Sequence, residues 1–133
     1  MGVKVTALDH LVLTVTDIAA TCVFYTGVMG MTADTFQPAD GTTRWSLGFG
    51  PQKINLHQKG AEFEPKAAQP APGSADLCFL TDTALEDWIV HLSAHNVDVE
   101  QGPVPRTGAT GPILSLYIRD PDANLIEIST PLL

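Results

Sequence analysis

Glu127 stands between Ile126 and Ile128 in the run Tyr117-Ile118-Arg119-Asp120-Pro121-Asp122-Ala123-Asn124-Leu125-Ile126-Glu127-Ile128-Ser129. Strand side chains alternate between two faces, so the isoleucines claim a core face and the carboxylate points to the other. Most strand glutamates simply face water. Other stretches of this chain argue against that here. In Asp9 to Val15, Leu11, Leu13 and Val15 oppose His10, Val12 and Thr14; in Gln52 to His57, Ile54 and Leu56 oppose Lys53, Asn55 and His57. The same split separates Trp45, Leu47 and Phe49 from Arg44 and Ser46. It recurs with Leu77 and Phe79 against Asp76, Cys78 and Leu80, and with Leu114, Leu116 and Ile118 against Ser115, Tyr117 and Arg119. Two histidines (His10 and His57) and one carboxylate (Glu127), carried on polar sheet faces from distant strands, are the donors of a divalent metal site with open coordination positions.

The elements that must position these groups follow from turn and periodicity signals. Residues 8–15 read as a first strand, Asp17 caps a helix from Ile18 to about Val28, and Gly27 and Gly30 stop it. Strands are expected at 31–37, 42–49 and 52–58, separated by Pro38-Ala39-Asp40-Gly41 and by Gly50-Pro51. Gly60 to Ser74 holds Pro65, Pro70 and Pro72 and reads as a linker. The order then starts again. A strand is expected at 75–81, then a helix to Asn96 opened by the capping-box spacing of Thr83 and Glu86, then strands at 97–100, 112–119 and 124–130.

The expected fold is therefore α+β, a single domain over 1–133 with module one at 5–59 and module two at 75–131. Each module is βαβββ, and the pair is expected to form a curved mixed sheet around a metal-binding cavity with the helices outside. Asp76 stands seven residues before its helix cap, as His10 does, and Glu127 is read as the counterpart of His57. The four repeat positions then hold His, His, Asp and Glu.

Bulk composition narrows the partners. The chain has 133 residues, 44% of them apolar, enough for one core or two small modules sharing one. A net charge of −8 with seven Lys and Arg disfavours nucleic acid and anionic membrane surfaces, leaving a small molecule. No apolar run is long enough to span a bilayer, and the first residues lack a signal peptide's apolar segment, so a cytoplasmic location is expected. Cys22 and Cys78 have no disulfide or zinc spacing and read as reduced packing residues.

Set in this repeat, these residues resemble the vicinal oxygen chelate superfamily: glyoxalase I, fosfomycin-resistance proteins, bleomycin-binding proteins and extradiol ring-cleaving dioxygenases. Gly50-Pro51-Gln52-Lys53-Ile54-Asn55-Leu56-His57, Pro72-Gly73-Ser74-Ala75-Asp76-Leu77-Cys78-Phe79 and Arg106-Thr107-Gly108-Ala109 more narrowly resemble the glyoxalase-domain-containing protein 5 group. The resemblance implies metal ligands at His10, His57 and Glu127, with Asp76 at a fourth position as ligand, base or substrate anchor, the alternative being a structural aspartate hydrogen-bonded to backbone near the linker. The ion is Fe(II), Mn(II), Ni(II) or Zn(II). It further implies an enzyme of lyase, isomerase or dioxygenase type that chelates adjacent oxygens of a small, oxygen-rich substrate and stabilises an enediolate-like or catecholate intermediate.

Tyr117, ten residues before Glu127, matches the catalytic tyrosine of the extradiol signature, while Ala123 replaces that signature's glycine or proline. The histidine expected ahead of the tyrosine is missing from Arg106 to Pro112. Arg106, and Arg44 or Arg119, are candidates to neutralise a substrate anion, with surface ion pairing as the alternative; Lys53 and Asn55 are further cavity candidates. His91 and His95 fall on the second helix, on the far side of the sheet in the fold this resemblance implies, and read as surface histidines. Two other functions stay open, a metal-free antibiotic-binding protein and a thiol transferase of the fosfomycin-resistance type. A homodimer is expected.

Overall fold

In the computed structural model, which describes residues 2–132, the chain divides into two compact units, one ending at Ala71 and the other beginning at Pro72. Met1 and Leu133, the ends of the expected domain, lie outside the described residues. The fold is α+β, and each unit is a βαβββ module with its own four-stranded mixed sheet.

In the first unit β1 (His10–Val15), α1 (Ile18–Gly27), β2 (Thr32–Phe36), β3 (Arg44–Phe49) and β4 (Gln52–Gln58) follow one another, and the sheet order is β1-β4-β3-β2. The crossover through α1 makes β1 and β4 parallel, and the two hairpin connections that follow make β2, β3 and β4 antiparallel. Asp17 caps α1, its carboxylate accepting from the Ala20 N–H at 3.0 Å. Thr21 and Tyr25 form the fully buried stripe of α1, with Ile18 and Cys22 half-buried beside them. Val15, Leu47, Ile54 and Leu56 are 0–1% exposed and form the core with Tyr25.

The second unit repeats this with β5 (Asp76–Leu80), α2 (Leu85–Ala94), β6 (Gln101–Thr107), β7 (Pro112–Arg119) and β8 (Leu125–Pro131), in the order β5-β8-β7-β6. Leu92, Leu116, Ile118 and Ile126 are fully buried and Ile128 is 1% exposed. Each such isoleucine contributes about 1.5–3 kcal/mol by leaving water. A one-residue slip of β8 would forfeit both and bury Glu127 instead, so the core itself holds the carboxylate on the opposite face.

Two expectations differ from the structure. The strand expected at 97–100 is absent there, and the second strand of the unit is β6, Gln101–Thr107. Val97 and Val99 supply the alternation that points to residues 97–100, whereas β6 contains Pro103 and Pro105. Proline is tolerated because β6 is the sheet's outer strand and its register shifts between Gln101 and Val104. Gly102, at φ +118, packs its backbone against the Ser115 carbonyl and Leu116, leaving no room for a Cβ. The Thr83 capping box is also not formed: α2 begins at Leu85 after Ala84 and has no side-chain cap, while the Thr83 N–H donates to the Thr81 hydroxyl at 3.1 Å. Glu86 and Asp87 instead place negative charge against the positive end of the helix dipole.

The turn between β7 and β8 holds Ala123 at φ 65, a conformation that strains a Cβ. Ala123→Gly removes about 1–2 kcal/mol of left-handed strain and returns about 0.4–1 kcal/mol to the unfolded chain as added freedom. The expected net gain is about 0.5–1 kcal/mol, visible as a higher urea midpoint at unchanged slope. A lower midpoint would show that the methyl group packs favourably enough to outweigh its strain.

Candidate functional site

On β4 of the first unit, Lys53, Asn55 and His57 share a face with His10, Val12 and Thr14 of β1. His10 pairs with Lys53, Val12 with Asn55 and Thr14 with His57. His57 therefore lies four residues further along the strand pair than His10, roughly 13 Å at the strand rise of about 3.3 Å per residue. The register does not set these two histidines side by side. Asn55 lies only two residues from the level of His10.

The second unit supplies the comparison. Asp76 pairs with Leu125, and Cys78 with Glu127, so Glu127 stands two residues beyond the level of Asp76. Aligned by strand pairing, His10 corresponds to Asp76 and Asn55 to Glu127; the counterpart of His57 is Ser129. The expected equivalence of Glu127 with His57 is thus displaced by two residues. Both belong to the same alternating face, and only hydrogen-bonded register tells them apart.

Several of these side chains are held by their neighbours. The His10 Nδ1 lies 2.9 Å from an Asp9 carboxylate oxygen, which orients the ring and leaves Nε2 as its other donor atom. Glu127 Oε2 accepts from the Ser115 hydroxyl at 2.5 Å and from Ser129 at 3.5 Å, and these two hydroxyls lie 2.7 Å apart. The buried Asn55 Oδ1 has no hydrogen-bond partner in the protein. A buried amide oxygen without a donor calls for a cation, a water or a ligand group.

His57, 7% exposed, sits edge-on to Phe63 with ring centroids 5.4 Å apart. The Arg44 guanidinium covers the same phenyl ring at 3.9 Å and pairs with Asp40 at 2.9 Å. Burial, and secondarily the Arg44 charge, push the His57 pKa below its ordinary value. The ring therefore favours its neutral form.

Tyr117 on β7 lies directly opposite Glu127, and its hydroxyl accepts from Arg106 Nε at 2.9 Å. Arg119 is engaged elsewhere, donating to both carboxylate oxygens of Glu100 at 3.1 Å. Arg106 and Glu127 line a cavity of about 670 Å³ in the second unit, together with Cys78, Leu80, Ile113 and the glycine-containing loop from Thr107 to Pro112. Burial raises the Cys78 thiol pKa despite a 3.3 Å contact with Ser129 Oγ, so this cysteine is a poor nucleophile. No group of three or more His, Cys, Asp and Glu side chains is drawn together as a metal cluster among the described residues.

These residue pairs sit on a repeated βαβββ scaffold, and the chain belongs to the Glyoxalase/Bleomycin resistance protein/Dioxygenase superfamily, whose family model matches residues 7–128. Among its relatives is virulence protein STM3117 of Salmonella typhimurium, 57% identical over 122 residues that cover 92% of this chain and 82% of that protein. The crystal structure of STM3117 superposes with a TM-score of 0.91, covering 98% of this chain and 100% of that one. Glyoxalase domain-containing protein RDO1 of Mycosarcoma maydis is 55% identical over 127 residues, 96% of this chain and 69% of its own. Lactoylglutathione lyase from Agrobacterium tumefaciens shares the fold at 24% identity with a TM-score of 0.68, covering 96% of this chain and 95% of that one. No helix of the described residues is long and apolar enough to cross a membrane.

Asn55 was recognisable in the sequence as a residue of the polar face, but not as the repeat mate of Glu127. No signal in the sequence marks it, because its level along the sheet is set by pairing between strands far apart in the chain.

Proposed function

We propose that the chain is a divalent-metal-dependent enzyme acting on a small, oxygen-rich molecule. The observation that carries this reading is the repeated register: His10 with Asn55, and Asp76 with Glu127, occupy the same two levels of the same two strands in both modules. Asn55 adds an unpartnered oxygen. Imidazole, amide oxygen and carboxylate suit Fe(II), Mn(II), Ni(II) or Zn(II), and the set contains no thiolate that would favour softer ions.

In this reading His10 and Asn55 of the first unit, and Glu127 of the second, are the side chains that would supply metal donors. His57, nominated with them by face alternation, keeps a neutral, aromatic-packed ring on the same face. When bound, the metal supplies Lewis-acid polarisation of adjacent substrate oxygens. Asp76, exposed beside Glu127, accepts a proton from the substrate. Arg106 neutralises an anionic substrate group, and the Tyr117 hydroxyl, which accepts from Arg106, directs its own proton toward a substrate oxygen. The working unit is a cytoplasmic homodimer.

The 670 Å³ cavity, lined largely by apolar side chains, favours a second reading, a small-molecule-binding protein without catalysis. Elemental analysis of protein purified without added metal separates the two. The expected result is about one divalent ion per chain, with affinity about 10–100-fold lower in Asn55→Ala and near wild type in His57→Ala. The reverse pattern would transfer the donor role to His57. Failure of the wild type to take up any of the four metals would sink the enzyme reading and leave the binding protein.

A further inference from the structure

The last turn of α2 carries a pair of histidines that the proposed chemistry does not use. His91 and His95 lie one helical turn apart, and their rings approach to 4.4 Å between centroids at an angle of 50°. They are the end of a row, since Trp88 meets His91 edge-on at 5.6 Å and its indole N–H donates to Thr81 Oγ1 at 3.1 Å. His95 is held from both sides. Its backbone N–H and its ring Nδ1 both reach the His91 carbonyl, at 3.2 and 3.0 Å, so Nδ1 acts as donor there and Nε2 remains as a lone-pair donor.

The helix end beneath this ring is closed and rigid. Asn96 takes the left-handed conformation at φ 58, the Val97 N–H donates to Leu92 O at 2.9 Å and the Asn96 N–H to Ser93 O at 3.1 Å. This is the paired hydrogen-bond pattern of a Schellman motif, which fixes His95 at the cap. Leu92, between the histidines in sequence, is fully buried, whereas His91 is half-buried and His95 exposed. The pair therefore sits on a fixed helix and faces outward.

We propose that His91 and His95 chelate a late first-row divalent cation, Cu(II), Ni(II) or Zn(II), at the C-terminal end of α2, independently of the donors on the sheet faces. Two nitrogens bound to one ion at about 2.0–2.1 Å each can be no more than about 4.2 Å apart. Rings whose centres already lie 4.4 Å apart meet that limit by ring rotation, with no change in the helix. A cation there faces the negative end of the helix dipole, and the chain's net charge of −8 favours it further. The site has two protein donors, so water or a second ligand completes the coordination. Its consequence is a helix end that tightens when the ion is present, because the folded state alone presents both rings together.

Untagged wild type, His91→Gln, His95→Gln, the double variant and His10→Gln are titrated with NiCl₂ alone. Calorimetry, tryptophan fluorescence and thermal melting supply three readouts. The wild type and His10→Gln are expected to quench Trp88 emission with the same midpoint and to melt at higher temperature with nickel. Each single helix variant should lose quenching affinity by about tenfold or more, since it loses chelation, and the double variant should show no quenching and a smaller melting shift than the wild type. Circular dichroism confirms that glutamine, a good helix former, leaves α2 intact. Trp88 quenching in the double variant with the wild-type midpoint would overturn the assignment. So would loss of the quenching step in His10→Gln, which would place the ion on β1.

Discussion

On the proposed metal-dependent reading, truncation of Glu127 to alanine is expected to remove metal binding and leave the protein folded. A carboxylate ligand contributes both a donor atom and a neutralising charge. Losing it exceeds the effect of losing an outer partner, so affinity should fall by at least ~100-fold. The fold tolerates the change because the two hydroxyls that donate to Glu127 also contact each other at 2.7 Å, so both Ser115 and Ser129 keep a partner. The neighbours that hold β8 in place, Ile126 and Ile128, are untouched. Ser115→Ala gives the graded version: the carboxylate stays but its 2.5 Å anchor is gone, and affinity should drop by roughly tenfold. Metal analysis with a parallel urea titration checks both. Wild-type affinity in Glu127→Ala would remove this residue from the ligand set and with it the β4/β8 equivalence.

The largest stability loss is expected from Asp120→Ala, in the turn that precedes β8. Asp120 is 7% exposed and Asn124 is 1% exposed. One Asp120 oxygen accepts from the backbone N–H groups of Asp122 and Asn124, both at 2.9 Å, and the other accepts from Asn124 Nδ2 at 2.8 Å. Asn124 Oδ1 in turn accepts from the Ala75 N–H at 2.9 Å, tying the turn to the start of β5. Alanine leaves three donors without their acceptor in a place that water reaches poorly, at about 1–3 kcal/mol for each group left unsatisfied. A loss of about 3–5 kcal/mol is expected once the turn relaxes. That is a large share of the ~5–15 kcal/mol that holds a typical domain together. Asp120→Asn, which retains one acceptor oxygen, should recover part of it. A urea midpoint for Asp120→Ala within error of the wild type would show that the turn is held by its backbone hydrogen bonds alone.

Much of this architecture was legible in residue order. Period-two alternation assigned His10, Asn55, His57, Asp76 and Glu127 to polar faces, and strand pairing agrees. The Asp17 cap, Gly27 at the end of α1 with Gly30 beyond it, and the proline-rich stretch between the modules marked element ends that the structure shares. β6 was misplaced because edge strands accept proline: Pro103 and Pro105 argue against a strand only when both sides must be hydrogen-bonded, and sequence does not reveal which strand is outermost.

Face and register are different kinds of information. Which side of a sheet a residue occupies depends on its own neighbours in the chain, through the burial of Ile54 and Leu56 or of Ile126 and Ile128. The sequence alone therefore determined the faces, the repeat and the residue types available for chemistry. Which residue lies beside which depends on hydrogen bonds between strands far apart in the chain, β1 with β4 and β5 with β8, whose offset the core and the crossover helices set together. Only the tertiary structure decided that Asn55, rather than His57, is the partner of Glu127 across the repeat, because a shift of two residues keeps every side chain on its face and changes only its neighbours.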